Sequence, residues 1–484
     1  MSGTIGRRGF MAGAAAGTAG AFTLPGVSFA AGRSTAVVRG TLPPGSPDHV
    51  YLPVEVGRGV REIRVAYAYE RPAVPPGTQG NALDIGVFDE RGFRGWSGGA
   101  RSEFFLRADD ATPGYLPGPV RAGTWHIVLA PYTVAPGGLP YTVTVTLAYG
   151  PSAPSPVPVY PPGRARGRGR AWYRGDCHLH SVHSDGGRTP AEIAAAARAA
   201  GLDFINSSEH NTHAAHAAWD GLWGDDLLIL VGEEVTTRNG HFLAVGTDPG
   251  TFVDWRYRAG DGRFARQARE VRRAGGLVVP AHPHATCVGC GWRFGYGEAD
   301  AVEVWNGPYT PEDEMALADW DSALAGGRGW VPAIGGSDAH RVPQAVGEPQ
   351  TVVLADDLTR EAILAGLRAG RSYVAESSAV SLAFSAAGGR GARAGIGERL
   401  PVPADAPVTV RLEVTGAPGC AARFVTDQGA LHTVALPASG TGTVEWRTTA
   451  SYTAYVRAEV RRPATVPGLP GALAAFTNPV FLGT

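Results

Sequence analysis

The sequence contains no lysine: its 43 basic residues are all arginine. Schiff-base catalysis, lysine-anchored pyridoxal phosphate and a Walker-type phosphate loop each need that amine, so all three are excluded. Cysteine is scarce as well, and four in 484 residues are too few for a disulfide scaffold. Charge imbalance is missing too: a formal net charge of −1 leaves no footprint for nonspecific nucleic-acid or membrane-surface binding. What is present is a 44% hydrophobic chain long enough for about three domains, rich in turn-forming residues with 68 glycines and 38 prolines.

The first thirty residues read as an address. Arg7-Arg8-Gly9-Phe10-Met11 precedes a weakly apolar run to Leu24, and Ser28-Phe29-Ala30 offers a small-residue cleavage site. Residues 1–30 are therefore expected to be a twin-arginine export signal, an ordinary signal peptide or tethering helix being the alternative. No second segment is apolar enough to span a bilayer, so no integral membrane segment is expected after removal of the signal.

Period-two alternation over 33–150, as in Ile63-Arg64-Val65-Ala66-Tyr67, predicts an N-terminal antiparallel β-sandwich. Residues 151–170 read as a Pro/Arg/Gly linker, solvated because such composition resists packing. From 171 to 377 the rhythm becomes strand–helix. Thr189-Pro190-Ala191-Glu192 is a capping box, and Gly201 is its stop. Apolar runs at 172–177, 203–208, 227–231, 241–245, 277–281, 301–305, 331–334 and 351–354 predict about eight parallel strands of a β/α, TIM-like barrel. Alternation returns over 378–484 and predicts a C-terminal β-sandwich.

Ten of the thirteen histidines lie between His178 and His340, clustered at the ends of the expected strands. In a parallel barrel those ends converge on one face, so side chains distant in sequence meet there. His178 and His180 leave one strand face together, followed by Asp185. Later strand ends carry Glu209-His210-Asn211, Glu233-Glu234, His282-Pro283-His284 and Ser337-Asp338-Ala339-His340, while His241 opens the fourth strand and is less firmly assigned to the ligand face. Imidazoles and carboxylates without thiolates suit Zn, Mn, Fe or Co with open water positions.

This ordered set resembles the polymerase and histidinol phosphatase (PHP) superfamily of metallohydrolases. Within it, "GDCHLHSVHSDG", "SSEHNT" and "GEEVTTRNGHFLAVG" look most like the carbaryl-hydrolase-like subgroup, and the tail "AFTNPVFLGT" is similar to that of exported members with β domains. The resemblance implies a distorted PHP-type barrel with two or three divalent ions. Carried over by position, His178, His180, Glu233 and Asp338 would bind one ion. Glu233 would bridge to a second, held by His282 with or without His241, while Asp185, His210 and His340 would hold a third. Departures are Asp185 where many members carry histidine, Cys177 for an aliphatic residue, and Glu209 for an aspartate.

The residues expected to act directly in catalysis are Glu233, Asp338, His284 and Arg341. His284 would donate a proton to a leaving oxygen or contact a phosphate, or else be a solvated loop residue; Arg238 and Arg341 would fork a phosphate, or else be ordinary surface arginines. His183, His213 and His216 read as rim or substrate-side residues. Cys287 and Cys290 suit a local disulfide, and Trp292, Phe294 and Tyr296 either wall a pocket or pack locally. The expected function is an exported metal-dependent hydrolase, a phosphoesterase first, using a metal-activated hydroxide on a small-molecule ester. Carboxylic or carbamate ester hydrolysis on the same core is the alternative, and a noncatalytic cell-surface binding protein the third. The flanking sandwiches would shield the mouth, limit substrate size or mediate dimerisation.

Overall fold

The computed structural model describes residues 28–30, 32–327, 330–466 and 470–483. The twin-arginine segment lies outside the described residues, apart from the strand Ser28–Ala30 that the export reading assigned to the cleavage site. No helix among the described residues is long and apolar enough to cross a membrane.

The N-terminal alternation forms antiparallel strands. In the strands Val60–Tyr69 and Leu139–Tyr149 every second side chain is buried from Ile63 to Tyr67 and from Leu139 to Leu147, so each strand has one apolar face there. They lie in a five-stranded antiparallel sheet that packs against a four-stranded one. Ile63, Val65, Trp125, Ile127, Val143 and Val145 fill the space between, each almost fully buried.

Residues 171–377 alternate strands and helices, but the expected all-parallel arrangement needs correction. Ala171–Asp176, Phe204–Ser207 and Leu228–Val231 pair in parallel, as do Val302–Asn306 and Ala333–Gly336. Gly240–Val245 instead runs antiparallel to both Glu233–Thr237 and Leu277–Ala281. The cause is local: two residues separate Thr237 from Gly240, and so short a connection makes a hairpin, never a parallel crossover. Gln350–Ala355 is likewise antiparallel to Ala171–Asp176. The helix Pro190–Ala199 starts at the Thr189 capping box and buries Ile193, Ala194 and Ala197, and Gly201 follows it with φ +70°.

The C-terminal module has no clean seam with the preceding segment. Leu473–Thr477 pairs with Ser372–Ala375, so one sheet runs from the strand–helix segment into the tail. A separate four-stranded sheet covers it, with Val410, Leu412, Phe424, Val456 and Ala458 between the layers.

The linker also departs from a free spacer. Residues 151–159 are exposed, but the arginines that follow clamp onto the body. Arg168 forms a two-pronged pair with Asp203 at 2.7 and 3.0 Å and lies 4.5 Å over the Tyr173 ring, and Arg170 pairs with Asp356 at 2.6 Å. A guanidinium brings its own partners' geometry, so packing here does not require apolar side chains.

Candidate metal centre

The strand Ala171–Asp176 ends by delivering His178 and His180, both fully buried, to one point. Asp176 holds the two loops there together: its carboxylate accepts from the Ser337 hydroxyl and from the backbone N–H groups of His178, Ser337 and Gly347. Leu179 and Ala339 then pair in parallel, so the "HLH" and "SDAH" segments lie side by side. His180 Nε2 stands 3.0 Å and His178 Nε2 3.2 Å from Asp338 Oδ1. Glu209 secures the next loop by accepting from Ser181 N, Ser181 Oγ and Ser184 Oγ, which sets Asp185 near His340 (3.2 Å) and His210 (3.5 Å).

At the middle of the cluster stands Glu234, not Glu233. Its Oε1 lies 2.9 Å from His241 Nδ1 and 3.0 Å from His282 Nε2. Its Oε2 faces His210 Nδ1 at 2.9 Å and the Nε2 atoms of His178 and His180, each at 3.4 Å. The expectation for Glu233 is therefore corrected. Neighbours on a strand point to opposite faces, and the hairpin register turns Glu234 inward. Glu233 is buried on the other side, 3.6 Å from His213 Nδ1, with neither oxygen hydrogen-bonded and its carboxyl pushed well up by that burial.

Sequence reading also missed Glu303, a single acid inside the apolar strand Val302–Asn306. It sits 3.0 Å from His178 Nδ1 and accepts from His282 N (2.9 Å) and Asn306 Nδ2 (3.0 Å). A carboxylate there assigns a proton to Nδ1, so the lone pair that His178 can offer the cluster is that of Nε2, the usual outer support of a ligating imidazole. A carboxylate set between apolar residues, Val302 before it and Val304-Trp305 after it, was the available signal.

The donor atoms converge without satisfying one another. His178 Nε2, His180 Nε2, His241 Nε2, Glu234 Oε2, Asp185 Oδ1 and Asp338 Oδ1 are all buried and lack a hydrogen-bond partner. Three groups have ligand atoms within 4.8 Å of one another: His180, Asp185, His210 and His340; His178, His180 and Asp338; and His178, Glu234 and His282. Burial opposes charge on Glu234, yet the His210, His178 and His241 imidazoles outweigh it and hold the carboxyl well below its ordinary value. Burial, reinforced by His210 and His340, lowers His180 to about 4, so its ring is neutral at pH 7. Backbone strain gathers here as well. Asn211, His282 and Asp338, with φ of 54°, 29° and 47°, are the only non-glycine residues of positive φ among the described residues.

The remaining candidates divide. His284 is 28% exposed and 3.3 Å from Asp319 Oδ2, on the wall of a cavity of about 440 Å³ that opens onto His282, Glu234 and Asp338. Arg341 is exposed and donates to the backbone oxygen of Asp185 at 3.0 Å. His216 is corrected from rim to core: Nε2 donates to Gly232 O and Nδ1 accepts from Gly250 N, both at 3.0 Å. His183 Nδ1 accepts from Gly114 N of the N-terminal sandwich. Cys287 and Cys290 form a disulfide, while Cys177 and Cys420 are free and buried. Trp292 and Phe294 pack on Phe264 and each other, and Tyr296 donates to Asp319.

No curated protein matches the chain. Among solved structures it is similar to a two-domain protein from Bacteroides vulgatus containing a predicted PHP-like metal-dependent phosphoesterase, with 17% identity and TM-score 0.37 over 67% of this chain and 99% of that one. It is also similar to an amidohydrolase from Chromobacterium violaceum with bound sulfate and no metal, with 20% identity and TM-score 0.27 over 36% of this chain and 89% of that one. Over residues 330–372, which carry Ser337, Asp338 and His340, the chain matches the family model PHP_C, described as PHP-associated.

Proposed function

We propose that the protein is an exported metal-dependent hydrolase of the PHP superfamily, nearest its carbaryl-hydrolase-like subgroup, acting as a phosphoesterase on a small-molecule ester. The observation that carries this reading is the convergence of buried, unpartnered imidazole nitrogens and carboxylate oxygens on Glu234 and Asp338. Burying such groups unsatisfied costs several kcal/mol in sum, a cost that cations at their focus would remove. The donor set fits Zn, Mn, Fe or Co. Export is supported by Arg7-Arg8 and by the Cys287–Cys290 bridge, which belongs to oxidising compartments.

In this reading His178, His180 and Asp338 would hold one ion, and Asp185, His210 and His340 would hold another. Glu234, with oxygens facing both halves of the cluster, links these to a position held by His282 and His241. Divalent ions there would supply Lewis acidity toward both the attacking water and the ester. The chain's own part is positional. Glu303 keeps the His178 ring oriented, Arg341 braces Asp185, and His284 stands on the cavity wall to donate to a phosphate oxygen.

The test is hydrolysis of bis-p-nitrophenyl phosphate, p-nitrophenyl phosphate and 1-naphthyl N-methylcarbamate by purified mature protein of measured metal content. Phosphate-ester turnover abolished by a chelator is expected. Carbamate turnover alone would move the chemistry to carboxylic esters, and a protein that binds no metal would refute the reading.

A further inference from the structure

The N-terminal sandwich does more than flank the cluster. Its Arg101 donates to the backbone oxygens of Val182 and Ser184, gripping the loop that carries Asp185. Its Phe93 and Trp96 pack on Phe252 and Trp255 in one apolar cluster shared between the two modules. Between them lies a second cavity of about 370 Å³. Asp84, Trp96 and Tyr132 of the sandwich line one side, and Asp185, His210 and His241 of the cluster line the other.

Arg238 stands in this cavity at the turn of the hairpin that carries Glu234 and His241. The sandwich fixes its guanidinium: the group lies 4.1 Å from the centroid of the Tyr132 ring, and Nη2 donates to Pro131 O at 2.9 Å. Tyr132 is itself tied down by donating to Val288 O in the disulfide loop. Nη1 is left buried with no partner. A desolvated, pre-oriented and unpaired guanidinium nitrogen is costly unless a ligand completes it, and the group it matches best is an oxyanion.

We propose that the sandwich completes the active site, its cavity taking an anionic substituent on the leaving-group side of the substrate, with Arg238 as the anchor. The proposal rests on reading the cluster as the hydrolytic centre, because Asp185, His210 and His241 are shared walls. Asp84 shapes the selection. It faces the same cavity within Coulombic reach of Arg238, so it opposes an anion that strays from the guanidinium.

Three phosphate esters of two-carbon alcohols isolate the charge of the leaving group: phosphoglycolate, hydroxyethyl phosphate and phosphoethanolamine. Calorimetric binding is measured on the full-length mature protein with its metals in place, so that the cluster takes the phosphate and the sandwich cavity reads only the second substituent. Phosphoglycolate should bind about tenfold or more tighter than hydroxyethyl phosphate, and phosphoethanolamine weakest. Arg238→Gln should erase that preference, whereas Asp84→Asn, in a side chain without hydrogen-bond partners, should tighten phosphoglycolate a few-fold. A purely structural Asp84 would not move the affinity in that direction. Equal affinities for the three esters, no binding of any, or an unchanged preference in Arg238→Gln overturns the proposal. If the charge preference holds but the metal-loaded enzyme hydrolyses none of the three or the chromogenic esters, the hydrolytic reading fails and the anion site stands.

Discussion

Glu233 and Glu234 are the same side chain one residue apart, and strand alternation sends them to opposite faces of Glu233–Thr237. Only Glu234 meets five imidazoles. Glu234→Gln should therefore lose bound metal and turnover, while Glu233→Gln keeps its metal content; elemental analysis of both purified variants decides, and metal loss confined to Glu233→Gln would reverse the assignment. Glu303 acts one step further out, through His178. Its change to Gln should weaken metal binding about 10–100-fold with the fold intact, read by chelator competition. His180→Ala and Asp338→Ala should abolish turnover with little change in circular dichroism, since both residues point into the cluster and not the core.

At the scale of elements, the hairpin of Glu233–Thr237 and Gly240–Val245 is the hinge between sequence and site. It swings His241 beside Glu234 and presents Arg238 at its tip, two outcomes that a chain of parallel strands would not produce. Gly240 N donates to Gly289 O, so the disulfide loop rests on this turn. The bridge spans three positions, and closing so small a loop is worth at most about 2 kcal/mol. Cys290→Ser should lower the melting temperature by a few degrees under oxidising conditions and leave it unchanged in reductant. An identical melting point in both media would show that the bridge contributes nothing.

Across the whole molecule, the C-terminal sheet is riveted to the strand–helix segment by a buried ionic network. Glu459 is fully buried and meets Arg457 at 2.6 Å, Arg461 at 2.5 Å and Arg423 at 2.6 Å. Arg457 reaches on to Asp321 and Arg461 to Glu314, both on the helix Pro311–Ala325. Burial alone would raise the Glu459 carboxyl, but the guanidiniums of Arg457, Arg461 and Arg423 pull it down from 4.5 to about 2. A lowered carboxyl stabilises the fold in its ionised form. That contribution, about 3 kcal/mol, is complete above the unfolded value and lost as pH falls toward the folded one. Stability of the wild type should thus decline between roughly pH 5 and pH 2, and Glu459→Gln should be less stable at pH 7 with a flatter profile. Denaturant melts at each pH test this, a parallel profile in the variant being the contrary result.

Much of the molecule was legible beforehand because its signals are local. Alternating burial from Ile63 to Tyr67, the Thr189 cap and the strand-end positions of His178, His180, His210, His282 and His340 all follow from spacing along the chain. The sequence by itself determined the donor types and the kind of ion they suit, because ligand chemistry is written in side-chain identity. Which glutamate enters the cluster, that Glu303 orients His178, and that the N-terminal sandwich supplies a wall of the cavity were decided only by tertiary structure. Register, strand direction and domain contact depend on partners far away in sequence, and a periodic pattern carries no information about which partner a face will meet.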